Sequence, residues 1–389
     1  MRQDSTKRAL RCAALFALAS ASGAALAGSA SAHSTGKGDR VVGHVYVNEN
    51  TTGLNTIGAF DRHADGSLSP VPGSPFAAGG AGTGAGIASQ GALQLSSDGR
   101  YLLAVDAGSN EISVLRVKHD GRLRAVRGGP VASNGVDPVS IAVHDDLVYV
   151  ANAGAGGNNY TGFRFWRGHL HALDNSTVSL PDGSQPGDVL FNGDGRKLAG
   201  TRVGTSLIDS FTVARDGRLT AGPNSPIAAQ GLGPFGSEFR PTNPSQLFVS
   251  NAHDGAGNGT VSAFADAWDG TLTSIGASPF ANHQTAPCWV EISHDGRYLF
   301  TVNTAVATIS SYSIASDGSL TLLGSTPISA PVGSPEDARL SPDGSTLWVV
   351  DPKANAISAF SVDGGTLTAL PNSSTVTAPG AAPTGIVVT

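Results

Sequence analysis

Short apolar runs, each closed by a polar residue, recur along this chain at intervals of about fifty residues. The runs have the length and the Val, Leu and Tyr content of β-strands, and turn signals separate them. A repeat of this size built from strands predicts the blades of a β-propeller and disfavours a helical solenoid. The chain contains seven such runs, and the residues that close them are Glu49, Asp106, Asn152, Arg202, Asn251, Asn303 and Asp351.

Each repeat divides into four strands, which we call a, b, c and d. In the repeat that begins at Pro287, the pattern predicts strands over 289–292, 298–303, 308–314 and 320–323. Asp-Gly pairs, a strong signal for a two-residue hairpin turn, separate a from b and c from d in this repeat. The fold class that follows is all-β, with seven four-stranded antiparallel blades.

The two ends of the chain complete one another. After its first forty residues the chain enters at a strand b, 45–47, and it stops on a strand a, 385–388, led by Pro383. Six blades are therefore predicted from continuous sequence, and a seventh combines the C-terminal strand a with N-terminal strands b, c and d. Pairing the ends closes the ring and removes an exposed sheet edge.

Composition agrees with one all-β domain over residues 41–389, because glycine is abundant (51 residues) and charged residues make up only 14%. Residues 1–32 are typical of a Sec-type signal peptide: basic residues precede an apolar stretch over 12–27, and Ala30-Ser31-Ala32 offers a cleavage site. We expect cleavage after Ala32, a flexible N-terminus over 33–40, and a secreted extracellular protein.

The remaining chemistry-bearing residues exclude several classes of protein. Only Cys288 remains after the signal peptide, so no intramolecular disulfide is expected. The formal charge of −6, without basic runs, argues against nucleic acid as a partner, and no segment beyond the signal peptide predicts a membrane span. His169 and His171 lack a third ligand nearby, so we expect no metal ion. We also expect no cofactor and a monomeric protein. The glycines over 80–86 resemble a phosphate loop by spacing, but they lie between two strands and predict a flexible connection.

Candidate chemistry lies on the inner strands a, which converge at the axis. Aligned by their leading residues (Gln90 in one blade and Pro in six), these strands carry an apolar residue at the fifth position on. The fourth position instead places Glu238, Glu291 and Arg339 at one level in three consecutive blades. Asp188, Trp289 and Asp337 precede that level by two residues on the same face. Arg202 and Asn251, which close strands b, and His253, just beyond one of them, are expected at the same mouth. His253 joins the two glutamates as a catalytic candidate, and the substrate-binding candidates besides Arg339 are Arg202, Asn251, Asp188, Trp289 and Asp337.

Two interpretations of these residues remain open. Inner-strand charges are costly unless paired or hydrated, so they indicate either a solvated channel with structural Glu–Arg pairs or a binding pocket. In the pocket, Arg339 binds a substrate carboxylate and Glu238 or Glu291 acts as a base.

The repeated blade sequence, with runs such as Ser-His-Asp-Gly-Arg-Tyr-Leu at 293–299 and Ser-Pro-Asp-Gly at 341–344, resembles the seven-bladed lactonase-type propellers. That family includes 6-phosphogluconolactonases and carboxymuconate cyclases, and the resemblance covers residues 41–389. It implies a hydrolase or cyclase acting on a small anionic or lactone-type ligand.

The family's enzymes carry a His or an Arg-His pair directly after the leading residue of particular strands a. Here none of the seven residues in that place is His or Arg; they are Gly91, Val139, Gly187, Phe235, Cys288, Glu336 and Thr384. No catalytic residue of the family transfers to this chain. Two functions therefore stay open: an enzyme acting on a small lactone-type substrate, and a non-catalytic extracellular binding or scaffold propeller.

Overall fold

The computed structural model describes residues 40–328, 333–370, 375–376 and 381–389, and in these ranges every regular element is a β-strand. The strands form seven separate antiparallel sheets. The inner strands of successive sheets contact one another around a closed ring, so the predicted seven-bladed propeller is confirmed. The predicted signal peptide and residues 33–39 lie outside the described residues.

Each blade runs outward from its inner strand in chain order, except that blade 1 takes its inner strand from the C-terminus. Blade 1 contains β1 (Val41–Asn48), β2 (Gly53–His63), β3 (Leu68–Pro70), β4 (Phe76–Gly82) and the inner strand β34 (Thr384–Val388). Blade 2 contains β5 (Leu93–Leu95), β6 (Tyr101–Asp106), β7 (Glu111–Val117), β8 (Leu123–Ala125) and β9 (Val131–Ala132). Blade 3 contains β10 (Pro138–His144), β11 (Leu147–Asn152), β12 (Asn159–Trp166), β13 (His169–Ala172) and β14 (Val178–Ser179).

The other four blades follow the same order. Blade 4 contains β15 (Pro186–Phe191), β16 (Lys197–Arg202), β17 (Leu207–Val213), β18 (Leu219–Ala221) and β19 (Ile227–Ala228). Blade 5 contains β20 (Pro234–Arg240), β21 (Asn243–Asn251), β22 (Thr260–Asp266), β23 (Leu272–Ser274) and β24 (Phe280–Ala281). Blade 6 contains β25 (Pro287–Ile292), β26 (Tyr298–Asn303), β27 (Thr308–Ile314) and β28 (Leu320–Pro327). Blade 7 contains β29 (Ala338–Leu340), β30 (Thr346–Asp351), β31 (Ala356–Asp363), β32 (Thr366–Ala369) and β33 (Thr375–Val376).

The predicted closure of the ring by the two ends of the chain is confirmed. β34 pairs with β1 so that Val388 faces Val45 and Ile386 faces Val47. Beyond the strand, the backbones of Thr389 and His44 exchange hydrogen bonds of 2.9 and 3.2 Å. The side chains of β34 are buried between blades 7 and 2, so the last strand is part of the core.

The outermost strand is interrupted in six blades, where two short strands replace the single predicted strand d. In blade 1 the second of these, β4, reaches Gly82 and pairs with β2. The expectation of a flexible connection over 80–86 is therefore wrong for its first part. Gly80 and Gly82 are needed there because a Cβ would lie 2.6 Å from the Asp106 carboxylate or 2.4 Å from the Asn50 backbone.

The polar residues that close strands b fasten strand b to strand c. Asn251 Nδ2 donates to Thr260 Oγ1 and Ser262 Oγ, both at 2.9 Å. In blade 4, Arg202 Nε and Nη2 donate to the two carboxylate oxygens of Asp209 at 2.6 and 2.5 Å. These side chains are buried, and their bonds hold the end of the strand pair together where the chain turns.

Across residues 40–389, leaving out the undescribed segments, the structure holds no helix of the length and apolarity needed to cross a membrane.

Candidate functional site

The inner strands present polar side chains at two levels along the axis. Asp188, Trp289 and Asp337 lie beside the second-last residue of strand b in their blades. Asp188 pairs with Thr201 and Trp289 with Val302, and the Asp337 carbonyl accepts the N–H of Val350. We call this the upper level. Glu238, Glu291 and Arg339 pair with Phe248, Phe300 and Trp348, all three residues before the closing residue, and form the lower level.

At the upper level, the segment Ser89-Gln90-Gly91 lies across the axis, and we call it the axial plug. Gln90 Nε2 donates to the Ser237 carbonyl in blade 5, and Gln90 Oε1 accepts from Val290 N in blade 6, both at 2.9 Å. Gln90 N donates to the Gly187 carbonyl in blade 4 at 2.9 Å. This one residue of blade 2 therefore joins three inner strands on the far side of the ring.

The other plug residues complete these contacts. Ser89 Oγ donates to the Val139 carbonyl at 2.7 Å, and the Ser89 carbonyl accepts from Trp289 Nε1 at 2.8 Å. The Gly91 carbonyl accepts from Ile141 N at 2.9 Å, and Gly91 N lies 3.5 Å from Asp337 Oδ2. The plug thus bonds to the inner strands of blades 3 to 7. Its residues are buried, so the axis is filled at the upper level.

Asp188 sits at the upper level with its carboxylate fully bonded. Its Oδ1 accepts from Ser140 Oγ at 3.2 Å, and its Oδ2 accepts from Ser237 N and Oγ at 2.9 and 2.7 Å. Burial raises the pKa of Asp188 to about 7, although these hydrogen bonds act in the opposite direction. Burial likewise raises the pKa of Asp337 to about 6, against the opposing charge of Arg339.

At the lower level, Arg339 pairs with Glu291 at 3.3 Å between Nη1 and Oε2. Glu291 Oε1 also accepts the backbone N–H of Leu340 at 2.7 Å. The Arg339 side chain keeps 28% of its surface exposed, whereas that of Glu291 keeps 5%. Glu238 is half-buried, and within the described residues its Oε2 has no hydrogen-bond partner.

Arg339 forms its ion pair with Glu291, and the pKa values of the two glutamates are shifted to different extents. Burial and then the neighbouring charge of Glu291 raise the pKa of Glu238 well above its usual range, although Arg339 opposes the shift. Burial also raises the pKa of Glu291, with Arg339 opposing it. Burial alone would lower the pKa of Arg339, but Glu291, Asp337 and Glu238 together raise it. The arrangement favours a protonated Glu238 beside an ion pair, because two carboxylates near one cation do not both ionise readily.

Three other candidates, Arg202, Asn251 and His253, have contacts outside this cluster. Arg202 is engaged by Asp209, and Asn251 bonds to strand c of its own blade. His253 lies above the start of β20, where its backbone N–H donates to the Leu232 carbonyl at 2.9 Å. Four residues of strand separate that end of β20 from Glu238, or about 13 Å. A common role for all these residues in one site stays a prediction.

The residue that sequence reasoning missed is Gln90. One signal was present: Gln90 is the single leading residue of a strand a that is not Pro. Proline has no backbone N–H, so only a different residue can donate to the Gly187 carbonyl.

No group of three or more His, Cys, Asp or Glu side chains within the described ranges is arranged to hold a metal ion.

Comparison with known proteins agrees with this architecture. The family described as "Lactonase, 7-bladed beta-propeller" matches residues 239–388. The resemblance to lactonase-type propellers is confirmed. Those matched residues contain Glu291 and Arg339 and begin one residue after Glu238. No curated protein matches the chain in sequence.

Solved lactonase-type propellers share the fold at low identity. A protein from Bacteroides fragilis described as a putative 6-phosphogluconolactonase has a TM-score of 0.71 at 22% identity, covering 89% of this chain and 98% of its own. The periplasmic gluconolactonase of Pseudomonas aeruginosa has a TM-score of 0.68 at 18% identity, with 89% and 98% covered. A streptogramin B lyase reaches 0.55 at 17% identity, covering 77% and 86%. At such identities the likeness shows the fold alone.

Proposed function

We propose that this lactonase-like propeller binds a small anionic, lactone-type substrate at the lower level of its axis and hydrolyses it. The observation that carries the proposal is the half-buried Glu238, whose Oε2 is unbonded within the described residues, beside the partly exposed Arg339. A protonated acid, an ionised carboxylate and a cation within one cluster can together catalyse the hydrolysis of an ester ring.

In the proposed reaction, Arg339 binds the negative group of the substrate and stabilises the charge that develops on the carbonyl oxygen. Glu291 accepts a proton from water while that water attacks the lactone carbonyl carbon. The bond between the carbonyl carbon and the ring oxygen breaks, and the ring oxygen takes the proton of Glu238. The product is the open hydroxy acid, and a proton returns from Glu291 to Glu238 through solvent.

A second function, a non-catalytic extracellular binding or scaffold propeller, is favoured by a different observation. The axial plug fills the channel at the level of Asp188, Trp289 and Asp337. Trp289 and Asp337 bond to the plug, and Asp188 bonds to Ser140 and Ser237 of the neighbouring inner strands. An axis filled in this way strengthens the ring whether or not a substrate binds below it.

Turnover of a panel of small lactones and binding of the matching sugar acids separate the two functions. Replacing Arg339 by Met together with Glu291 by Gln removes the ion pair without leaving a buried charge. We expect hydrolysis to fall by about a hundredfold or more, with the fold retained. Glu238→Gln alone should lower the rate at neutral pH. It should also remove the part of the pH dependence of the rate that comes from titration of Glu238.

The matched control is the double variant Lys197→Met with Asp266→Asn, which removes a buried ion pair of 2.9 Å between strand b of blade 4 and strand c of blade 5. It should lose stability but keep the rate per folded molecule. If the parent hydrolyses lactones and the axial double variant does so equally well, the assignment of the site is wrong. If no lactone or sugar acid is bound by the parent, the scaffold function replaces the enzymatic one.

We also propose, from the sequence, that the chain is exported with cleavage after Ala32 and acts outside the cell as a monomer. Intact mass of protein recovered from the medium and sedimentation of that protein test both statements. A mass that includes residues 1–32, or a stable dimer, would refute the respective statement.

A further inference from the structure

We propose that a groove on the outer part of blades 2 and 3 binds an anionic oligosaccharide, at a site separate from the axis. The groove has two adjoining sections that share Tyr101 and Arg167. One section is a basic pocket of about 300 Å³, and the other is a polar section of about 460 Å³ with Trp166 at its rim.

The basic section is lined by five exposed cations, Arg116, Lys118, Arg124, Arg127 and Arg167, around the buried ring of Tyr101. Among the described residues none of the five takes part in an ion pair. The chain as a whole carries a formal charge of −6, so this cluster opposes the general charge of the molecule. Mutual repulsion among the cations is a cost that a bound anion removes.

The strand register makes that cost explicit. Arg116 on β7 faces Arg124 on β8 directly across the sheet. Like charges in that position destabilise a strand pair. The Arg116 guanidinium also lies over the Tyr101 ring at 6.0 Å, which holds it at the floor of the groove.

Blade 3 contributes the other wall through the tight turn between β12 and β13. Arg167 occupies this turn at φ 51°, and its guanidinium lies 5.2 Å from the centre of the Trp166 ring. Gly168 follows at φ 90°, and a Cβ there would lie 2.7 Å from the Tyr101 ring. The close contact of this turn with Tyr101 fixes Trp166 and Arg167 at the junction of the two sections.

The polar section indicates which anion fits. It is lined by Ser96, Ser97 and three aspartates, each of which lies beside a basic side chain: Asp98 beside Arg100, Asp146 beside Arg164, and Asp145 at 3.6 Å from His144 Nε2. Hydroxyl and carboxylate groups bind sugar hydroxyls, and the exposed face of Trp166, 63% accessible, suits the apolar face of a sugar ring. The carboxylate of Asp145, whose side chain is 82% exposed, repels a ligand charged along its whole length. The ligand that fits both sections is a sugar chain with one carboxylate, sulfate or phosphate group. The anionic group binds in the basic section, and the neutral sugar rings bind in the polar section.

The test measures binding of lactose, lactose carrying one sulfate group, and lactose carrying one sialic acid to the intact protein. We expect both anionic sugars to bind, more weakly as salt increases, and lactose to bind at least about tenfold more weakly. Equal binding of lactose, or no binding of either anionic sugar at about 1 mM, overturns the proposal. Tighter binding of single-stranded oligothymidylate than of either sugar also overturns it, in favour of a general polyanion surface.

Two pairs of variants locate the site. Trp166→Ala should weaken binding of the anionic sugars about tenfold, whereas Trp268→Ala, which removes a tryptophan 89% exposed on blade 5, should not. Arg124→Gln with Arg127→Gln should abolish measurable binding. The control Arg215→Gln with Lys353→Gln makes the same change in net charge at exposed positions elsewhere. Equal loss in the two double variants would show a non-specific charge effect and refute the site. Lactone turnover should be unchanged in all four variants. The result of this test is therefore independent of the test of the axial site.

Discussion

At the scale of single residues, the aspartates buried at the axis have raised pKa values, whereas aspartates in exposed hairpin turns have lowered ones. The buried Asp188 has its pKa raised to about 7, whereas hydrogen bonds from Ser319 lower the pKa of the exposed Asp317 in a hairpin turn. The first group resists ionisation in the folded state, and the second favours it. The pH dependence of stability therefore differs between the two.

Replacement of Asp188 by Asn tests this difference. A folded pKa above the unfolded value means that Asp188 stabilises the fold fully below about pH 4 and loses this contribution as the pH rises through about 7. Between about pH 5 and about pH 8 the parent should lose about 2 to 3 kcal/mol more unfolding free energy than the Asn variant, measured with urea. Asp317→Asn is the control and should leave the pH dependence in this window unchanged. The same slope in Asp188→Asn as in the parent would show that Asp188 is ionised throughout.

Arg202 provides a prediction about a buried ion pair. Arg202→Met leaves Asp209 buried and uncompensated apart from the hydroxyl of Tyr160, which donates to it at 3.1 Å. We expect a loss of about 3 to 5 kcal/mol in unfolding free energy, and recovery of most of it when Asp209→Asn is added. A single variant as stable as the parent that no longer binds a ligand would instead assign Arg202 to substrate binding.

At the scale of elements, the axial plug joins blade 2 to blades 4, 5 and 6, which are not its neighbours in the ring. The side-chain bonds of Gln90 join positions 147 and 200 residues apart in the chain. A propeller blade contacts mainly its two neighbours, so such a cross-brace couples the ring as a whole.

Gln90→Leu removes both side-chain bonds of the plug while keeping a similar volume. The Ser237 carbonyl and the Val290 N–H then lose their partners in a buried setting, at about 1 to 3 kcal/mol for each group. The unfolding free energy should fall accordingly. Gln94→Leu, four residues further along in the inner strand β5 and partly exposed, is the control and should change stability by less than about 1 kcal/mol. Equal stability of both variants would show that the plug does not brace the ring.

At the scale of the whole molecule, ring closure depends on the last strand of the chain. Ile386 and its neighbours in β34 are buried, and Arg62 Nη2 donates to the Thr389 carbonyl at 3.1 Å. Deleting this strand exposes one edge of β1 and opens the contact between blades 7 and 2.

Deletion of residues 384–389 should therefore remove cooperative unfolding of the entire propeller, followed by heat or urea, and not merely fray one blade. Thr389→Ala keeps β34 and should unfold in one transition close to that of the parent. A truncated chain that still unfolds cooperatively within about 1 kcal/mol of the parent would contradict the closure argument.

The sequence by itself determined the repeat, the four strands of a blade, the closure of the ring and the level shared by Glu238, Glu291 and Arg339. All of these follow from local signals: apolar alternation, Asp-Gly turns and the spacing of residues within one repeat. Such local signals can be interpreted from the sequence alone because strands and hairpins are formed by residues close together in the chain.

Only the tertiary structure decided what occupies the axis and which acids meet there. In the sequence, Gln90 is only the one leading residue of a strand a that is not Pro. In the structure, its side chain bonds to two inner strands that are distant in sequence. The basic groove likewise arises where β7 and β8 of blade 2 lie beside a turn of blade 3, although no basic run exists in the sequence. The physical reason is that charge, burial and hydrogen bonding depend on distances between side chains, and ring closure sets those distances between residues that the chain itself keeps far apart.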